Sequence, residues 1–258
     1  MRELLNFGLI FREYTGGDLI PYEGGTLIVH RFDNPTAIMI LGYLMLIAVG
    51  YLLGSLNSGI IISRLIYKND IRNHGSGTDL ADIRRIYGNA AAVAAFVFDG
   101  VKTVAAIFIG MMVFGNHSDL VVRYAGPYIG GFAAAVGNAF PFYNKFKGGK
   151  AVAAICFMAF MTEPFAAVIC LVVFIIVTLG TKYISLGFLI SVMAYPMILH
   201  RLTGMGLHNV IAIAFMLTVV LLHRENIKSI SAGTEKKLDL SWKKKKKANS
   251  KTNISEDD

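Results

Sequence analysis

The sequence predicts an all-α integral membrane protein of about seven transmembrane helices, some short or re-entrant. Two compositional observations and one physical constraint carry that expectation. Hydrophobic residues make up 55% of the chain and charged residues only 16%, with a mean hydropathy of +0.56. Such a balance leaves too little charge to cover a soluble domain. The apolar residues gather in runs at about 36–67, 89–115, 120–141, 150–162, 164–181, 184–199 and 207–222. In a bilayer every backbone N–H and C=O must be satisfied within its segment, so repeated runs of this kind read as helices.

Taken in order, residues 1–34 carry Gly-Gly pairs and scattered charge and read as an N-terminal extension outside the membrane domain. They do not read as a secretory signal, because the apolar stretch from Leu4 to Phe11 is broken by Asn6 and ends at Arg12-Glu13. The membrane domain spans 35–238. Within it, 150–181 must hold two helices parted at Glu163-Pro164, and a full crossing needs about 20 apolar residues. One helix of that pair is therefore expected to be short or re-entrant. Cys156 and Cys170 sit in apolar runs and read as free thiols. Residues 239–258 form a tail in which Trp242 and Lys243–Lys247 suit anionic headgroups, followed by a polar stretch expected to be disordered.

Positive charge is distributed unevenly. Arg64, Lys68, Arg72, Arg84 and Arg85 follow the first run, Lys145, Lys147 and Lys150 follow the third, and Lys182 and the lysine tail come later. The alternate loops hold only Arg123 and Arg201. The positive-inside rule places the Lys-rich side and the C-terminus in the cytoplasm and residues 1–34 outside. The Lys243–Lys247 run supplies five of the positive charges in a chain of net charge +8. No folded basic face with an aromatic platform accompanies it, which argues against nucleic-acid binding. No Cys/His cluster has ligand spacing, so neither a metal nor a cofactor is expected.

Three segments on the predicted cytoplasmic face carry the chemistry. The first runs from Gly54-Ser55 through Asp70-Ile-Arg72 and Gly75-Ser76-Gly77 to Arg84-Arg85. The second is Gly137-Asn138 through Phe146-Lys147-Gly148-Gly149-Lys150, and the third is His223-Arg-Glu-Asn226. Adjacent glycines can expose backbone N–H groups, and the lysines add charge, a combination suited to phosphate. It is not a Walker loop, because the G-x-x-x-x-G-K-[ST] spacing is absent. Plain readings stand beside this one: a turn at Gly75–Gly77, topology charges at Arg84-Arg85, and a helix C-cap at His223. Asp99 and Lys102 lie inside an apolar run and are expected to pair structurally.

As an ordered set these residues resemble the bacterial acyl-phosphate:glycerol-3-phosphate acyltransferase family. The resemblance covers about 36–238 and includes Phe140-Pro141, Thr181-Lys-Tyr-Ile-Ser-Leu186 and His223-Arg-Glu-Asn-Ile-Lys228 before Gly233. It implies a multi-pass enzyme of the bacterial cell membrane with a cytoplasmic site. The reaction would pass a fatty acyl group from acyl phosphate to the 1-hydroxyl of glycerol 3-phosphate, without a cofactor. Under that resemblance His223, Asn226, Ser55 and Arg72 are the catalytic candidates. Ser76, Gly77, Arg85, Lys147, Gly148, Gly149, Lys150 and Asn138 are the substrate- and phosphate-binding candidates. The chain departs from the family pattern at Asn138, where histidine is usual, at Ala151, where glycine is usual, and at Asn57, where proline is usual. The stretch after Gly77, beginning Thr78-Asp-Leu-Ala-Asp82, is one residue shorter. A relative with another acyl acceptor or without catalysis is the second reading, and an anion transporter the third. Transport fits poorly, since no internal repeat is evident.

Overall fold

The computed structural model describes residues 35–74, 77–116, 120–204, 206–235 and 237. The expectations for residues 1–34 and for the Lys243–Lys247 tail lie outside them. Every regular element among the described residues is a helix. The order is α1 (Pro35–Ser55), α2 (Ser58–Leu65), α3 (Leu80–Tyr87), α4 (Asn89–Phe114) and α5 (Leu120–Ala139), then α6 (Val152–Thr162), α7 (Pro164–Thr181), α8 (Ile184–Thr203), α9 (Leu207–Leu222) and α10 (Arg224–Ser231).

Among the described residues four helices are long and apolar enough to cross a bilayer: α1, α4, α7 and α8. A fifth is added if α9 and α10, bent by 58°, count as one span. The expected seven spans are thus not all realised as long apolar helices. The short helix anticipated around Glu163-Pro164 is α6, whose 11 residues reach only about 17 Å at 1.5 Å per residue. Pro164 opens α7, where its missing N–H would have no partner anyway. Helix α5 has the length but is diluted by glycine and polar residues, because it lies between α1 and α4 and also packs on α6 and α9. Backbones meet closely there. A Cβ on Gly130 would lie 2.4 Å from the Ala106 carbonyl oxygen, and one on Gly54 would lie 2.0 Å from that of Ala134. Small residues permit such approach where lipid supplies no hydrophobic drive between helices.

The long first run, which reads as continuous in sequence, is interrupted. Asn57 takes an extended conformation, and its Oδ1 accepts from the Ile60 N–H, which caps α2. The break leaves carbonyls at the end of α1 without helical partners. Lys102 of α4 supplies the donor, with Nζ 2.8 Å from the Gly54 oxygen and 2.6 Å from that of Leu56. The same ammonium lies 2.7 Å from Asp99 Oδ1 and 3.0 Å from Asn138 Oδ1. Lys102, Asp99 and Asn138 are all buried, so the expected Asp99–Lys102 pair is part of a three-way junction of α1, α4 and α5.

Removing one partner of a buried ion pair strands the other. Lys102→Met is therefore expected to destabilise the fold by about 3 kcal/mol or more, seen as a lowered thermal midpoint in detergent. A midpoint equal to that of the unmodified protein would show that the junction holds nothing together.

Candidate active site

The three motif segments converge at one end of the bundle. The Tyr143 hydroxyl, in the loop between α5 and α6, donates to the Ser55 carbonyl at 2.5 Å and accepts the Asn57 N–H at 2.7 Å. Asn57 Nδ2 donates to Thr78 Oγ1 at 2.8 Å, tying the α1–α2 break to the loop before α3. Asp79 caps α3 through the Asp82 N–H, and its other carboxylate oxygen lies 3.5 Å from Lys150 Nζ. Lys150 Nζ donates to Asn226 Oδ1 at 2.7 Å, and Asn226 Nδ2 donates to Ser185 Oγ at 2.6 Å. A single polar chain thereby links the starts of α3, α6, α8 and α10.

His223 sits at the bend between α9 and α10 and is buried. Its Nδ1 lies 3.0 Å from the Val219 carbonyl oxygen. A carbonyl can only accept, so Nδ1 bears the hydrogen and Nε2 is left as the basic nitrogen. The Phe188 ring packs against the imidazole at 5.2 Å between centroids. Burial, the largest cause, lowers its pKa and favours the neutral base.

A cavity of about 390 Å³ runs inward from this cluster. Its polar end is formed by Thr78, Asp79, Lys150, Ser185, His223 and Asn226, with Asn138 and Asp99 also in the wall. The remainder is lined by apolar side chains of α6, α7 and α8, with Phe215 of α9. It has one wet, charged end and one greasy end.

Of the residues expected from sequence, Asn138, Gly149, Lys150, His223 and Asn226 line this cavity. Asn138 does so while bound to Lys102, with its Nδ2 3.4 Å from Asp99 Oδ2. Other candidates stand back from it. Ser55 Oγ donates to the Tyr51 carbonyl within its own helix. Arg72 forks onto Asp70 through Nε at 3.0 Å and Nη2 at 2.7 Å, with Nη1 3.4 Å from Asn144 Oδ1. Arg85 is exposed and pairs with Asp82 at 3.2 Å, and Lys147 is exposed. Gly77 is exposed beside Asp82, and Ser76 lies outside the described residues. The Gly148 and Gly149 N–H groups are not open to a ligand: they donate to the Ala139 and Asn138 carbonyls at 3.0 and 3.2 Å. The end of α5 has orphan acceptors, and these glycines satisfy them. Gly148 is required there by contact, since a Cβ would lie 2.1 Å from the Asn138 oxygen.

The chain matches the family model described as glycerol-3-phosphate acyltransferase over residues 44–233. It belongs to that family. Among similar proteins, the glycerol-3-phosphate acyltransferase of Enterococcus faecalis is 34% identical over 214 residues, covering 78% of this chain and 94% of the relative. That of Finegoldia magna is also 34% identical, covering 77% and 98% respectively. A crystal structure of PlsY, an integral membrane glycerol 3-phosphate acyltransferase in its glycerol 3-phosphate form, superposes with a TM-score of 0.66. It is 28% identical over 76% of this chain and 96% of its own. The lysophosphatidic acid form of the same enzyme gives 0.65.

Within the family frame, Ser185 is a polar residue of the site that the sequence reading did not single out as functional. Its signal was the Thr181–Leu186 segment, and only the hydrogen bond from Asn226 places it in the cavity. Ala151 is the other finding. It has φ 53°, ψ 21°, the left-handed region, at the start of α6, where family members usually carry glycine.

Two expectations follow. Ala151→Gly relieves the left-handed strain, and after allowing for the greater freedom of an unfolded glycine should stabilise the protein by up to about 1 kcal/mol, read as a raised thermal midpoint. The Asp70 carboxyl is held well below the usual carboxylate range, chiefly by its hydrogen bond from Arg72. A depressed folded pKa adds stability that is present above the unfolded value near 4 and is lost as pH falls. The stability gap between the unmodified protein and Asp70→Asn should be flat above about pH 5 and close progressively below about pH 4. A gap that widened in acid would contradict the pairing.

Proposed function

We propose that the protein transfers a fatty acyl group from acyl phosphate to the 1-hydroxyl of glycerol 3-phosphate, releasing 1-acylglycerol 3-phosphate and inorganic phosphate. The observation that carries this reading is a cavity whose polar end holds Lys150, Asn226, Ser185 and His223 and whose other end is apolar. A phosphate-bearing polar substrate and a long-chain acyl donor need those two environments in contact. The matching chemistry of the relatives supports the reading.

In this mechanism Lys150 and Asn226 hold the glycerol 3-phosphate phosphate, with Arg72 and Lys147 adding positive potential from the rim. The helix start at Val152, whose first-turn N–H groups lack helical acceptors, would favour the phosphate of the acyl donor beside Lys150. His223 Nε2 accepts the proton of the attacking hydroxyl as its oxygen bonds to the acyl carbon. The acyl–phosphate C–O bond then breaks, and the departing phosphate takes up that proton. The donor is already an activated mixed anhydride, so orientation of two anions supplies much of the rate. The polar end faces the cytoplasm, in keeping with the distribution of Lys and Arg. Asn138 holds the α4–α5 junction and takes no proton.

The test is phosphate release from palmitoyl phosphate by purified protein, with and without glycerol 3-phosphate. Acceptor-dependent release with lysophosphatidate formed is the expected result, and a folded protein that turns over neither substrate would refute the reading. His223→Ala should lower kcat by about 10²- to 10⁴-fold, the range for a lost general base. Lys150→Met should raise KM for glycerol 3-phosphate by about tenfold or more, the worth of a charge-assisted hydrogen bond.

A further inference from the structure

The cavity has a floor, and its depth can be counted along the helices. On α8 the lining begins at Ile184 and Ser185 and stops at Tyr195, a descent of about 15 Å at 1.5 Å per residue. On α6 it runs from Val152 down to Phe160, about 12 Å on the same rise. Helix α7 runs the other way, so its lining face descends from Phe174 to Ala167. The three lining faces end around Tyr195, whose cluster holds Ala166 of α7 and has Ala159 of α6 and Cys170 of α7 packed against it.

Tyr195 belongs to a packed cluster with Tyr128, Ala166, Leu199 and Ala212, against which Ala159 and Cys170 rest. Its hydroxyl lies 3.4 Å from Thr162 Oγ1, the last residue of α6. The walls above are free of competing polar demands: Ser191, the polar residue part-way down α8, donates its hydroxyl to the Phe188 carbonyl at 2.8 Å. Ala167 and Ala159 are small residues beside this floor, and they leave the width that larger side chains would fill.

We infer that Tyr195 is the stop for the end of the acyl chain and that Ala167 keeps the last part of its path open, so that these two residues set the chain length the enzyme accepts. The inference rests on the acyl-transfer reading above. Interiors are close-packed, so a chain that fits the cavity excludes one that must push the Tyr195 cluster aside. A chain too short leaves the floor unfilled and forfeits contact.

The experiment measures kcat/KM for lauroyl, palmitoyl and stearoyl phosphate, at saturating glycerol 3-phosphate, in the unmodified protein, Ala167→Phe and Tyr195→Ala. Ratios between donors are taken within one preparation, so the fraction of active protein cancels. Ala167→Phe should lower the stearoyl-to-lauroyl ratio by about tenfold, the scale on which an apolar pocket discriminates chain length. Tyr195→Ala should raise the same ratio. Opposite shifts support the inference, because general loosening of the fold moves both variants the same way. An unmodified protein active on acyl phosphates, with one unchanged ratio across all three proteins, would overturn the chain-length role alone. An unmodified protein inactive on every acyl phosphate would overturn the acyl-transfer reading and this inference with it.

Discussion

One buried ammonium organises the active end of this protein. Lys102 reaches from α4 to two carbonyls at the broken end of α1, to Asn138 near the end of α5 and to Asp99 one turn away on its own helix. A charge in that position would be prohibitive unless paired, and an unwound helix end in the membrane would be equally prohibitive unless its acceptors were met. Each problem is the solution of the other. Because α1 stops at Ser55, the chain turns through Asn57 and carries Thr78 and Asp79 to the cavity.

From that junction the site is assembled by hydrogen bonds between loops. Tyr143 pins the α5–α6 loop to the α1–α2 break, and Lys150 ties that loop to α10 through Asn226. The glycines of the loop serve this assembly. Gly148 and Gly149 close the end of α5 by donating to the Ala139 and Asn138 carbonyls.

The departures from the family pattern have structural content. Asn138 occupies the usual histidine position and is satisfied as an amide, accepting from Lys102 and facing Asp99 with its nitrogen. Its two-sided hydrogen bonding suits a position flanked by one cation and one anion. Ala151 holds a left-handed conformation that glycine takes without strain, and its place at the mouth of the cavity shows why the fold insists on it: Val152 must turn inward at once to begin α6.

Composition and hydropathy were enough to establish a helical membrane protein, because a bilayer forbids most alternatives to the helix. Helix boundaries at Glu163-Pro164 and the structural pairing of Asp99 with Lys102 were legible for the same reason: proline and buried charge have few permitted contexts. His223, Asn226 and Lys150 were legible as polar residues at span ends, and the bundle brings all three to the cavity wall. What local sequence could not supply was spacing in depth and the fate of individual donors. A run of apolar residues does not say whether it crosses, as α7 does, or stops short, as α6 does. Nor does it say that 36–67 breaks at Asn57, since that break is stable only when a lysine 45 positions onward closes it. Ser185 entered the site, and Gly148 left the set of open donors, for one reason. Which partner meets a polar group depends on which helices pack together, and that is decided by the whole bundle.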